Sequence, residues 1–199
     1  AQMYGVTLSH EQLAFAQERL HRTSGQAPEQ LRLQDYRDIN DGTYDAICSI
    51  EMIEAIGHQF QDIYFEKCAS LLKPGGKALI QAITIEDHRY QQALDSVDFI
   101  KRYIFPGSYI PCVSSMVASA AQAGNLRLLN LQDIGDSYAK TIHAWRERFL
   151  SREADVLALG YDRRFLRMWD FYLAYCEAGF LEESISDVHL LLGKERFPE

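Results

Sequence analysis

Apolar and polar positions alternate with two different periods along the chain, and the switches between them mark its elements. Residues 4–8 read as the end of a strand, and Ser9 with Gln12 forms an S-x-x-Q capping box before a helix whose Leu13, Ala16 and Leu20 share one face. After a loop from Gly25 to Pro28, residues 31–34 are a short strand candidate. Tyr44–Ile50 is a stronger one, because Ala46, Ile47, Cys48 and Ile50 are nearly all apolar, the pattern of a strand buried on both faces. A helix is predicted over about residues 59–72, with Tyr64, Phe65, Cys68, Leu71 and Leu72 inward and a stop at Lys73-Pro74-Gly75-Gly76. Residues 78–85 return as a strand.

Strand, helix, strand, strand, helix, strand predicts an α/β, doubly wound, Rossmann-like domain, since parallel crossovers need helices and run right-handed. The second half differs. Residues 86–124 read as helical and irregular, 126–134 as a strand and 138–159 as helical again. From Phe165 onward, Met168, Trp169, Tyr172, Leu173 and Cys176 form one amphipathic face, which Gly179 is expected to close. Residues 184–192 are a final strand, expected to lie antiparallel beside residues 126–134. The sheet is therefore mostly parallel with one late antiparallel strand.

Composition narrows the function classes. A chain of 199 residues, 47% hydrophobic and 24% charged, can bury the core of one globular domain, which excludes disordered and collagen-like readings. Its net charge of -8 and the lack of any Lys/Arg run argue against nucleic acid as a partner. No apolar stretch approaches the roughly 18 residues of a membrane span, and the first residues do not resemble a signal peptide, so a cytoplasmic location is expected. Cys48, Cys68, Cys112 and Cys176 lack the spacing of a zinc site, and reduced, mostly buried thiols are expected with no metal site.

GVTLSHEQLAFAQERL, LQDYRDIN, SIEMIEAIG, LLKPGGKALIQAITI, FIKRYIFPGSYIP and MWDFYLAYCEAGF occur in this order across nearly the whole chain. Together they resemble the cyclopropane-fatty-acyl-phospholipid synthase family. LKPGG before a strand is common among methyltransferases, whereas YIFPG followed by a late YLxxC helix is much more specific. The resemblance selects the methyltransferase variant of the doubly wound fold. It implies transfer of a methyl group from S-adenosylmethionine to the alkene of an unsaturated fatty acyl phospholipid, with a bicarbonate ion as base. Some relatives act on mycolic acids or small amines, so another small-molecule methyl acceptor and a non-catalytic binding module stay open.

The resemblance also implies roles for individual residues. Glu54, outside the carboxyl end of the Tyr44–Ile50 strand, matches a glutamate that contacts bicarbonate; without the motif it reads as a solvent-facing helix starter. Glu51 reads as structural or as a support for the site residues beside it. Tyr172 matches a catalytic tyrosine, yet it lies on the apolar stripe, where a buried tyrosine needs only a hydroxyl partner. Gln81 stands where many family members carry histidine, and its amide can hydrogen-bond bicarbonate but cannot gain charge. Ile83 matches a backbone contact to the ion. Thr7, Leu8 and Gln12 match positions beside the ribose and amino acid portions of the cofactor, and Asp35 and Tyr36 those beside the adenine. Tyr103, Phe105 and Tyr109 either line an acyl channel or are ordinary core.

Residues 1–199 are thus expected to be a single methyltransferase-type domain, with residues 86–124 as a helical insertion covering the substrate. The glycine-rich strand and turn expected of this family have no counterpart in the sequence. The corresponding expectation is a domain truncated at its amino-terminal side, with impaired activity and weak cofactor binding. Its sheet edges would then be open to a second copy, and transient membrane contact would replace any spanning segment.

Overall fold

Two short strands, Gly5–Thr7 (β1) and Leu31–Leu33 (β2), pair in parallel, with Gly5 opposite Leu31 and Thr7 opposite Leu33. These details come from a computed structural model, which describes residues 2–24 and 30–195. The predicted loop from Gly25 to Pro28 lies outside the described residues. A parallel pair needs a crossover, and helix α1 (His10–Ser24) supplies it. Ser9 Oγ accepts from Gln12 N at 3.1 Å, the forward half of the predicted capping box. The return half is not made, because Thr7 Oγ1 accepts from the Ser9 N–H at 3.2 Å and donates to Gln12 Oε1 at 2.8 Å. A hydroxyl one turn earlier thus does the work expected of the glutamine. Residues 1–42 form one compact unit, and residues 43–199 form a second.

The second unit is built on a four-stranded sheet of order β3-β4-β6-β5. Tyr44–Ile50 (β3) is parallel to Leu72–Ile85 (β4), whereas Ile185–Lys194 (β6) is antiparallel to both β4 and Leu126–Asp133 (β5). Helix α2 (Gln61–Leu71) makes the crossover from β3 to β4. After it come α3 (Tyr90–Leu94), a π-helical turn over Ile100–Ile104 and α4 (Val113–Gln122). Helices α5 (Gly135–Ser151), α6 (Glu153–Ala158) and α7 (Arg163–Leu181) separate β5 from β6. The doubly wound reading with a late antiparallel strand holds.

Strand parity assigns the two faces. Ala78, Ile80 and Ala82 on β4 lie opposite Leu192, Leu190 and Val188 on β6, and all six are buried. Lys194 shares that parity, and its Nζ reaches the carbonyls of Ala69 and Leu72, so this face lies under α2. The opposite face carries Gln81, Ile83, Asp187 and His189. There Ile83 and Ile185 pack on a cluster of Ala139, Ile142, Leu173 and Phe180 from α5 and α7. Each fully buried Leu or Ile contributes about 1.5–3 kcal/mol, so these two layers hold the sheet.

Three predictions need correction. Strand β3, expected to be buried on both faces, lies at the edge of this sheet, and Ala46, Cys48 and Ile50 are exposed, Ile50 by 53%. Their side chains share a face with Gln81, and the α5–α7 layer covers the β4 and β6 side of that face but not β3. Cys48 is consequently an exposed thiol, while Cys68 and Cys112 are buried. Second, the Lys73-Pro74-Gly75-Gly76 stop belongs to β4, where the register jumps from Tyr44 opposite Leu72 to Ala46 opposite Lys77. The extra residues form a bulge, and Gly75 takes a φ of 78°, which favours glycine. Third, Gly179 does not close α7, which continues to Leu181. Glycine is used there for clearance, since a Cβ would meet Ile185 Cδ1 at 3.0 Å. Among the described residues, no helix is long and apolar enough to cross a membrane.

Candidate active site

Strand β3 ends at Ile50, and the chain turns sharply at Glu51, whose φ of 47° lies in the left-handed region. A non-glycine residue there is uncommon, and strain of this kind gathers at functional sites. The turn is held by the Glu51 N–H, which donates to Gln81 O at 2.9 Å, and by the Glu51 carboxyl. Glu51 Oε1 accepts from Tyr138 Oη at 2.6 Å and from Gln81 Nε2 at 3.2 Å. Three residues on, a short 3-10 turn over Ile53–Ala55 swings Glu54 back over β4. Its Oε1 accepts from the Ile83 N–H at 2.7 Å.

Glu54 is an unusual carboxyl. Its Oε2 is buried and accepts from no group among the described residues. Burial pushes its pKa up to about 7, opposed by hydrogen bonds from its own and the Ile83 backbone and reinforced by Glu51 and Asp187. The group is therefore poised to exchange a proton near neutrality.

The structure brings Glu54, Gln81 and Ile83 together at the carboxyl end of β4. Tyr172 joins them from α7: it packs on the cluster that holds Ile83, stands edge-on to Phe105 at 6.0 Å, and burial raises its pKa far above the phenol range. The roles of Gln81 and Ile83 are altered by their partners. One amide nitrogen of Gln81 serves both Glu51 and Asp187 Oδ2, the latter at 2.7 Å, and a primary amide has two hydrogens to give. Its Oε1 lies 3.3 Å from His189 Nε2. The Ile83 N–H is likewise spent on Glu54. Neither residue keeps a donor for an added anion.

Sequence reasoning missed Asp187, Tyr138 and His189 and left Glu51 as structural or as a support for the residues around the site. Asp187 is fully buried, its Oδ1 accepts from no group among the described residues, and desolvation raises its pKa to about 6. A signal was present, since Asp187 is the lone acid on the apolar strand ISDVHLLLGK and a buried charge is the informative exception. The left-handed turn at Glu51 had no such signal.

The five proposed cofactor positions all lie in the first unit, beyond the adjacent carboxyl ends of β1 and β2. Gln34 N donates to Thr7 O at 3.1 Å, which keeps those ends side by side. Leu8 is 72% exposed. Asp35 caps the 3-10 turn Tyr36–Asp38 by accepting from Arg37 N, and its two oxygens also take the Arg37 guanidinium at 3.0 and 2.7 Å. These bonds hold the Asp35 carboxyl below its ordinary range. Of the aromatic stretch 103–109, Tyr109 is buried and donates to Gln61 Oε1 at 3.1 Å, while Tyr103 and Phe105 are exposed.

Residues 1–190 match the family described as mycolic acid cyclopropane synthetase. Over 180 residues the chain is 40% identical to the tuberculostearic acid methyltransferase UfaA1 of Mycobacterium tuberculosis, covering 90% of this chain and 42% of that protein. Over 181 residues it is 34% identical to the cyclopropane-fatty-acyl-phospholipid synthase of Escherichia coli, covering 91% and 44%. The chain thus spans less than half the length of these relatives. The solved cyclopropane synthase MmaA2 of Mycobacterium tuberculosis aligns with a TM-score of 0.84 at 25% identity, over 96% of this chain and 69% of that one.

Proposed function

The chain belongs to the mycolic acid cyclopropane synthetase family, and on that premise we propose that the protein carrying it methylates the alkene of an unsaturated fatty acyl chain, using S-adenosylmethionine. The observation that carries this reading is Glu54, a carboxyl fixed by the Ile83 amide with one buried oxygen left without a partner. Adding a methyl group to an alkene carbon leaves a positive charge on the substrate, and removing a proton then closes the ring. Such a step needs a base held in a water-poor place with a pKa near the working pH.

Glu54 fits that description, and Tyr172 supports it by placing an electron-rich ring near a cationic carbon. S-adenosylmethionine, when bound, supplies a methyl group already made electrophilic by its sulfonium. Thr7, Leu8 and Gln12 would meet its ribose and amino acid portions, and Asp35 and Tyr36 its adenine. The exposed Leu8 and the paired strand ends leave room for it, and the Asp35 carboxylate has lone pairs beyond those given to Arg37. Gln81 and Ile83 would not hold a bicarbonate ion, their donors being engaged; Glu54 Oε2 could hold one only by accepting from its hydroxyl, in which case Glu54 would position the base instead of acting as it.

Residues 86–124 act in this reading as the cover over the acyl chain, with Phe105 against Tyr172 and Val97 and Tyr103 outward. Those outward apolar groups would meet a membrane surface transiently from the cytoplasm. Gln81 in place of the family's frequent histidine favours a second reading, a small-molecule acceptor on the same scaffold. Product analysis separates the two. With methyl-labelled S-adenosylmethionine and vesicles of a cis-unsaturated phospholipid, mass spectrometry should find acyl chains one CH2 heavier that carry the label. Label transferred to small amines but never to acyl chains would overturn the lipid assignment.

A further inference from the structure

Of three carboxyl groups at the end of β4, Glu51 and Asp187 share the neutral Gln81 amide and Glu54 lies beside them on the Ile83 N–H. Among the described residues, no lysine or arginine bonds any of the three. Tyr138 Oη holds Glu51 at 2.6 Å, Gln81 Nε2 reaches Glu51 at 3.2 Å and Asp187 at 2.7 Å, and Asp187 sits directly opposite Ile83, whose amide holds Glu54. The chain of contacts is Tyr138, Glu51, Gln81, Asp187, with Glu54 alongside. Every hydrogen-bond donor in it is spent, yet two buried acceptor oxygens remain, Glu54 Oε2 and Asp187 Oδ1.

Ionised Glu54 and Asp187 so placed, with the exposed Glu51 beside them, would repel one another in a partly desolvated site. The arrangement is tolerable where Glu54 and Asp187 hold protons more readily than free carboxyls do. We infer that Glu51 and Asp187 are positioning residues for Glu54: tied to each other across the Gln81 amide, they hold two carboxyls beside a third and thereby set when Glu54 takes up and releases its proton. The inference rests on the reading of Glu54 as the proton-handling group. It gives Gln81 a use that an amide fulfils and a protonatable histidine would not, since one neutral group donates to two acids without bringing a charge of its own.

The raised proton affinities of Glu54 and Asp187 agree with this, desolvation being the largest cause for both and Glu51 a further one. The groups that act on Glu54 directly are Glu51 after β3, Asp187 on β6 and Tyr64 on α2, while Gln81 on β4, His189 on β6, Tyr138 on α5 and Tyr172 on α7 stand against Glu51, Asp187 or each other. His189 is the one among them that can become positive, and it lies against Gln81 Oε1.

The test is a carboxyl-carbon NMR titration of the protein labelled with δ-13C glutamate, the Glu54 signal being identified by its loss in Glu54→Gln. Wild-type Glu54 should titrate near the value its burial sets, about 7. Glu51→Gln combined with Asp187→Asn keeps the shapes and removes two charges, and the Glu54 midpoint should fall by roughly one pH unit. Tyr138→Phe, which releases Glu51 without touching a buried charge, should lower it by a smaller amount. It decides the matter if the double variant does not fold. An unmoved Glu54 midpoint in a natively folded variant overturns the proposal. The titration needs no turnover, so a shifted midpoint in a protein that methylates no acyl chain would reject the proposed substrate and keep the inference. Where acyl methylation is observed, the acid limb of its pH profile should move with the midpoint, and a limb that stays in place would contradict the coupling.

Discussion

The ends of β1 and β2 and the end of β4 are both carboxyl ends of parallel strands, yet their polar groups are treated in opposite ways. At the strand ends of the first unit the polar groups pair with near neighbours in sequence, Thr7 with Gln12 and Ser9 and Asp35 with Arg37, and the buried acceptor without a partner in that unit, Gln30 Oε1, precedes β2. In the second unit the partners come from far along the chain, Gln81 with Asp187 and Glu51 with Tyr138, and two acceptor oxygens are left buried and unmatched. Local pairing at an exposed strand end costs little and stays open to a ligand. A buried carboxylate oxygen without a donor is costly, and its retention is what the proposed proton-handling role would account for.

The contrast can be broken by mutation, beginning with the larger effect. Gln81→Leu removes the amide from between Glu51 and Asp187 and leaves the fully buried Asp187 without its one side-chain donor. The second unit should lose roughly 3 kcal/mol, the scale of a hydrogen bond to a charged group plus an uncompensated acid. Chemical denaturation at pH 7 would measure this, and a loss below about 0.5 kcal/mol would show that the network is not under tension. Thr7→Val, the matching change in the first unit, removes two hydrogen bonds at a partly exposed site and should cost about 1 kcal/mol or less. Hydrogen exchange in the first turn of α1 should report it as a modest loss of protection. An effect there as large as that of Gln81→Leu would erase the distinction between the two regions.

Much of the fold was legible because each element obeyed a single period. The strands at β1, β2, β4, β5 and β6 and the amphipathic face of α7 followed from alternation and from the helical repeat. What escaped depended on neighbours distant in sequence. Apolar β3 reads the same whether or not a helix covers its face, and Gly179 reads as a helix stop unless the approach of Ile185 is known. The site divided along the same line. Glu54 was singled out through its motif, and the structure places it against Ile83, two residues from Gln81 on β4. The bonds that occupy Gln81 come from a turn at Glu51 and from Asp187, 106 residues away, which no local pattern connects.

On the proposed reading, the Glu54 carboxyl of the second unit handles the proton while the first unit holds S-adenosylmethionine. The most direct test measures the turnover and the S-adenosylmethionine affinity of Glu54→Gln in parallel, in the protein carrying this chain, with cis-unsaturated phospholipid vesicles as acceptor. Turnover should fall by about 10² or more with the cofactor affinity unchanged, as expected when an acid–base group is removed without altering binding. Unchanged turnover, or a loss of affinity that accounts for the whole effect, would contradict the claim and make Glu54 a structural residue.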